Sequence, residues 1–218
     1  MSQIKYKEGF LIVATCHAFY KNSALALIDS LDEHYPDCKI MVATIPEWEQ
    51  EFRQYPQVVE VRTDGPDERR TKLWALRHTV FEKTCYLDAD MEVNHEDIQN
   101  VWGLLDDDND CVFTLIYGPN GASTAIYNNM PIRLSDYPIT EEDFKTNLSY
   151  HGGFFVWWNN DKHPLAVKAM EMWWDKWEEI NKNQTWWDEH PEFNDVNRGW
   201  DQFTWWWIMN NELPDLNV

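Results

Sequence analysis

Residues 10–44 constrain the fold most. They place an apolar run, a helical apolar stripe and a second apolar run in immediate succession. Phe10-Leu11-Ile12-Val13-Ala14-Thr15-Cys16 shows no alternation of polar and apolar residues, which is the pattern of a strand buried on both faces of a parallel sheet. Across residues 19–34, Ala24, Leu27, Ile28 and Leu31 fall at i, i+3, i+4 and i+7, one face of a helix. Pro36 follows as a stop signal, and residues 39–44 form the second run. Strand, helix and strand at this spacing make a βαβ unit, whose crossover is right-handed.

The alternation continues down the chain. A short helix is expected over 46–54, a strand over 58–61, and a helix over 66–82 with Leu73, Leu76 and Val80 inward. That helix carries Arg69, Arg70, Lys72 and Arg77 and feeds a strand ending at Asp88. Asn94 is expected to cap a helix reaching Leu105, with Asp97 three residues on. Asp106-Asp107-Asp108-Asn109-Asp110 lacks the spacing of an EF-hand and reads as a solvated turn before a strand over 111–116. Residues 117–148, with Pro119, Gly121, Pro131 and Pro138, have little periodicity and suggest a functional loop or lid. A strand over 153–158, a helix over 163–183, a Trp-rich loop over 184–200 and a last helix from Asp201 to about Asn211 complete the layout. The expected fold class is α/β: one domain over 1–218, with a mostly parallel central sheet flanked by helices.

Charge narrows the function classes. With 18 Lys and Arg against 38 Asp and Glu, the net charge is −20, which disfavours non-specific nucleic-acid binding and docking on anionic membranes. No stretch approaches the ~20 apolar residues of a membrane span, and residues 1–8 lack the apolar core of a signal peptide. A cytoplasmic protein without a transmembrane segment is expected. Cys16, Cys38, Cys85 and Cys111 form no Cys-x-x-Cys pair, so buried reduced thiols are expected rather than a zinc or redox site. Any phosphate ligand of so acidic a chain needs a metal or a local cation to offset the field.

Thr84-Cys85-Tyr86-Leu87-Asp88-Ala89-Asp90 supplies the candidate for that metal. In extended backbone, residues i and i+2 face the same way, so Asp88 and Asp90 can close on one hard cation such as Mg²⁺ or Mn²⁺. The alternative is that Asp88 ends a strand and Asp90 starts a turn. Ligands of open α/β sheets bind beyond the carboxyl ends of the strands, and Thr15-Cys16-His17 shares that edge. Neither a Gly-x-Gly-x-x-Gly nor a Walker loop is present, so phosphates must be met by metal and side chains.

Four segments, in order, resemble the GT-A-fold nucleotide-sugar glycosyltransferases, in the branch of glycogenin and the bacterial lipopolysaccharide galactosyltransferases. They are residues 11–15 with Tyr20 and the helix through Ser30-Leu31; Lys72-Leu73-Trp74-Ala75-Leu76 with Tyr86-Leu87-Asp88-Ala89-Asp90; His151-Gly152-Gly153-Phe154-Phe155-Val156; and Gly199-Trp200-Asp201-Gln202. The likeness spans residues 10–211. It implies a GT-A (Rossmann-like) sheet, with a nucleotide-binding half over about 8–116 and an acceptor-binding half over about 117–218.

The resemblance also implies an activity: transfer of a hexose from a UDP-sugar to a glycan or other hydroxyl acceptor, retaining favoured, with Mn²⁺ (or Mg²⁺) as cofactor. Asp88 and Asp90 would hold the metal, with Ala89 between them. Lys72 would meet the phosphates or the sugar, against the alternative of a solvated helix charge. Thr15, His17 and Tyr20 would line the base and ribose pocket, against ordinary strand-end packing. His151, Gly152 and Gly153 would lie against the donor, and Asp201 and Gln202 against the donor sugar and the attacking hydroxyl. Asp201 can equally be a helix cap.

In those enzymes a late His-x-x-Gly-x-x-Lys-Pro segment supplies a third metal ligand. It is not found among these 218 residues, which leaves His151, His163, His190 or water for that place. Trp186, Trp187 and Trp200 suggest an acceptor-binding loop, while Trp173, Trp174 and Trp177, at helical spacing, suggest core. Two rival readings are a nucleotidyltransferase on a similar sheet and a non-catalytic, Trp-rich sugar-binding protein. Against the first, residues 16–20 hold no Gly-rich basic loop.

Overall fold

The structure, a computed structural model, describes residues 3–115, 124–127, 130–133, 150–191 and 201–218. A six-stranded sheet in the order β3-β2-β1-β4-β8-β5 carries the fold, with helices around it, so the fold is the α/β class expected. β1 (Tyr6–Ala14), β2 (Ile40–Thr44), β3 (Val58–Arg62) and β4 (Phe81–Leu87) pair in parallel. β8 (Tyr150–Trp158) runs antiparallel to β4, with Leu87 opposite Phe154, and β5 (Cys111–Leu115) closes that edge.

α1 (Ala18–His34) forms because its stripe works and both ends are satisfied. Ala24, Leu27, Ile28 and Leu31 are buried, a gain of roughly 1.5–3 kcal/mol for each of the larger side chains. His17 Nδ1 accepts the Phe19 N–H at 3.0 Å, and the Tyr35 N–H donates to Leu31 O at 2.7 Å. Phe10, Ile12, Leu27, Ile40, Val42 and Leu87 share one core cluster. Gly9 is required there, since a Cβ would stand 2.3 Å from the buried Phe81 ring.

Residues 66–82 were expected as one helix, and the structure corrects that. Only α3 (Thr71–Leu76) is helical, and Phe81 already pairs with Tyr6 in the sheet. Thr79, Val80 and Phe81 favour extended backbone, and pairing with β1 outweighs the helical spacing of Leu73, Leu76 and Val80. The buried hydroxyls of Thr79 and Thr84 satisfy each other at 2.8 Å. The helix expected from Asn94 is a 3₁₀ helix, Glu96–Leu104, capped by His95, whose Nδ1 accepts the Asp97 N–H at 3.2 Å. Residues 46–54 divide into a 3₁₀ turn, Pro46–Trp48, and α2 (Glu49–Arg53). Within 117–148, β6 (Thr124–Tyr127) and β7 (Met130–Arg133) pair as a hairpin, and the rest lies outside the described residues.

The chain groups into two compact units. The first comprises Met1–Val112, Gly153–Glu171 and Asn217–Val218, and the second Phe113–Gly152 and Met172–Leu216. In the second, Trp173 and Trp205 pack with ring centroids 4.6 Å apart, and Lys176 bridges Glu179 and Glu212 at 2.7 and 2.8 Å. The tryptophan loop expected over 184–200 contains a helix, α5 (Gln184–Glu189), following α4 (Pro164–Lys182). Trp186 and Trp187 are buried in it against Ile180, Phe203 and Trp206. They form core rather than a sugar-binding surface, and Trp200 lies outside the described residues. No helix among the described residues is long and apolar enough to cross a membrane.

Candidate functional site

Sheet order locates the site. From β1 the chain builds outward through β2 to β3, then returns to place β4 on the other side of β1. The carboxyl ends of β1 and β4 therefore flank the topological switch point, where open α/β sheets leave a crevice for ligands. Thr15-Cys16-His17 and Asp88-Ala89-Asp90 are the residues that leave those two strand ends.

At the end of β1 the backbone is strained. Cys16 has φ of 67°, the one positive φ at a non-glycine among the described residues. Two bonds hold it there. The Cys16 N–H donates to Asp67 Oδ1 at 2.7 Å, and the buried Thr15 hydroxyl donates to Glu68 O at 3.0 Å. The turn entering α1 is thereby tied to the segment that opens α3. Burial pushes the Cys16 thiol up, and Asp67 and Glu68 reinforce the shift, so it is an exposed but protonated thiol. The buried thiols expected hold for Cys38, Cys85 and Cys111, and not for Cys16. His17 spends Nδ1 as the cap of α1 and is exposed, while Tyr20 is half-buried with its ring 5.5 Å from that of Phe19.

At the end of β4, Leu87 is the last strand residue, and Asp88 to Met91 form a turn closed by the Met91 N–H on Asp88 O at 3.1 Å. The same-face spacing expected for Asp88 and Asp90 in a strand therefore applies one step earlier, to Tyr86 and Asp88. The Tyr86 hydroxyl donates to Asp88 Oδ1 at 2.7 Å, and Lys72 Nζ stands 3.9 Å from that oxygen and 5.7 Å from the centre of the Tyr86 ring. The Asp88 N–H donates to Gly153 O at 2.8 Å, so buried Gly153 fixes the turn from β8. The Asp88 side chain is one-third exposed and Asp90 is exposed, while Ala89 between them is buried.

Lys72, Asp88 and Gly153 are thus brought together in one unit. Asp67 joins the edge without having been singled out by sequence, and Cys16 and Tyr86, quoted there only within their stretches, gain contacts of their own; the i, i+2 rule that paired the aspartates also pairs Tyr86 with Asp88. Gly152 is buried, and the His151 side chain lies outside the described residues. Asp201 opens α6 (Asp201–Trp207) in the second unit, where it is buried and its carbonyl accepts the Trp173 indole N–H at 3.1 Å. Gln202 follows it, half-buried.

Asp88 and Asp90 offer carboxylate oxygens, the ligand type that hard divalent cations take, and the Asp88 carboxylate is hydrogen-bonded by Tyr86 and 3.9 Å from Lys72 Nζ. No group of three or more His, Cys, Asp or Glu in metal-holding arrangement occurs among the described residues. His163 Nδ1 lies 3.4 Å from Asp110 Oδ1 and its ring stacks on Trp158, while the His190 ring stacks on Trp186.

Beside the acidic turn the first unit opens into a cavity of about 460 Å³. Leu87, Met91, Val93, Ile98, Val101 and Phe154 give it an apolar lining, and Glu92 and Asp97 lie at its polar side. The Val93 N–H donates to the buried Ser30 hydroxyl at 3.1 Å, and Gln99 Nε2 to His34 O at 3.0 Å, which pin this wall to α1.

No family model matches the chain, and no curated protein matches it. Among solved structures, the glycosyltransferase GlyE of Streptococcus pneumoniae TIGR4 is similar at 12% identity and TM-score 0.49, over 81% of this chain and 40% of that one. The 4-diphosphocytidyl-2C-methyl-D-erythritol synthase of Anaerococcus prevotii is similar at 11% identity and TM-score 0.49, over 78% of this chain and 77% of that one. The bifunctional IspDF of Campylobacter jejuni is similar at 14% identity and TM-score 0.46, over 76% and 43%. The chain spans less than half the length of the GlyE and IspDF chains. Similarity at this level assigns no activity to this chain.

Proposed function

We propose that this chain is a metal-dependent glycosyltransferase that moves a hexose from a UDP-sugar to a hydroxyl acceptor. One observation carries the reading: the Asp88-Ala89-Asp90 turn sits at the switch point of the sheet with Asp88 held by Tyr86 and Lys72. Asp88 and Asp90 would hold Mn²⁺ or Mg²⁺, which when bound offsets the charge that grows on the departing diphosphate. Lys72 would exchange its ion pair with Asp88 for the phosphates, leaving the Asp88 carboxylate to the metal. The strained turn at Cys16, fixed through Asp67, presents Thr15, His17 and Tyr20 to the base and ribose. Asp201 and Gln202 take the roles the resemblance implies, a carboxylate as general base or stabiliser of an oxocarbenium-like centre, with its neighbour as donor of hydrogen bonds.

Turnover tests this reading. Purified protein given UDP-glucose or UDP-galactose with Mn²⁺ is expected to release UDP slowly in the absence of acceptor, and Asp201→Ala to abolish that release. Release of pyrophosphate from UTP and a sugar phosphate, without UDP release, points instead to the nucleotidyltransferase. Wild-type UDP release in Asp201→Ala reduces Asp201 to a helix residue.

A further inference from the structure

The cavity past the acidic turn takes no part in the donor binding proposed above. We propose that it receives the apolar portion of an uncharged amphiphile, an alkyl or aryl group bearing a hydroxyl or sugar head, so that the head lies toward Asp88 and Asp90. As an acceptor subsite this rests on the transferase reading; as a pocket for a neutral amphiphile it does not.

Four observations select that occupant. The volume, about 460 Å³, falls within the ~300–1,000 Å³ of small-molecule pockets. The lining is apolar, and Leu87 and Phe154, paired across β4 and β8, bring it within one residue of Asp88 and Gly153. The walls are preformed, since Ser30 and His34 of α1 hold residues 93 and 99 in place. Finally, the charged side chains that line the pocket are Glu92 and Asp97, with no Lys or Arg among its lining residues, in a chain of net charge −20, which disfavours an anionic head such as a fatty carboxylate. Leu104, 45% exposed on the pocket wall, leaves a side through which a chain can enter.

The test is calorimetric titration of the full chain with octyl and hexyl glucoside below their micelle concentrations, with octanoate and glucose as controls. Each methylene buried in such a lining is worth about fourfold in affinity, so hexyl glucoside, two methylenes shorter, is expected to bind roughly fifteenfold more weakly than octyl glucoside. Octanoate and glucose are expected to give no heat. Leu104→Asp, a change at an exposed position, is expected to weaken octyl glucoside at least fivefold, and Met91→Trp to block it by filling the space. Equal affinity for the two chain lengths, equal binding of octanoate, or no binding at all overturns the proposal. A dimer in light scattering that Leu104→Asp disperses, without amphiphile binding, assigns the groove to a second copy and overturns it too. UDP binding without glucoside binding contradicts only the pocket, and glucoside binding without UDP binding contradicts only the transferase.

Discussion

Tyr86 is the residue that most changes how the acidic turn works. Its hydroxyl orients one oxygen of Asp88 while its ring supports Lys72, so the carboxylate is held before any ligand arrives. A hydrogen bond to a charged group is worth about 1.5–3 kcal/mol, so Tyr86→Phe is expected to weaken Mn²⁺-dependent UDP binding about tenfold, with an unchanged circular dichroism spectrum. Titrations of both proteins check this, and equal affinities would remove Tyr86 from the site. His78 supplies a pH dependence of stability. Burial lowers its pKa to about 4, with Arg62 and Arg77 adding to the effect, whereas the unfolded chain takes up that proton near 6.5. The unfolded state therefore binds more protons between those values, and stability falls as pH drops from 7 towards 4. Linkage gives roughly 3 kcal/mol for such a shift, reduced to about 1–2 kcal/mol by solvent at a half-buried ring. Between pH 7.5 and 5 the wild-type urea midpoint is expected to fall relative to that of His78→Gln, which carries the same relief of the −20 charge. Midpoints of the two proteins that change in parallel with pH contradict the assignment.

At the scale of elements, the parallel strands were legible because burial on both faces leaves apolar runs with no polar alternation. Residues 10–16 differ from the bounds of β1 (Tyr6–Ala14) by two to four residues, and residues 39–44 from those of β2 (Ile40–Thr44) by at most one. Residues 66–82 were misread because the partner of Phe81 is Tyr6, a pairing across the sheet that local spacing does not encode. The orientation of β8 was equally invisible, since an apolar run does not say which way it lies. At the site, Asp88, Lys72 and Gly153 could be picked out, whereas the strain at Cys16 depends on Asp67, a loop residue with no pattern of its own. Close packing makes a prediction here. Gly9→Ala drives a methyl into the Phe81 ring and is expected to cost about 1–3 kcal/mol, read as a lower urea midpoint. An unchanged midpoint would mean that β1 and β4 separate freely at that point.

For the whole molecule, the −20 charge is the dominant condition. Self-repulsion opposes the compact state and is screened over about 10 Å at 0.1 M salt, so the thermal midpoint is expected to rise between 10 and 200 mM NaCl. The same field opposes a nucleotide diphosphate, which is why the account needs a metal at Asp88 and Asp90 rather than lysine alone. Calorimetry with UDP, in Mn²⁺ and in chelator, tests that claim most directly. Binding is expected in Mn²⁺, absent in chelator and absent in Asp88→Ala even with Mn²⁺; UDP affinity that is equal with and without the metal would contradict it.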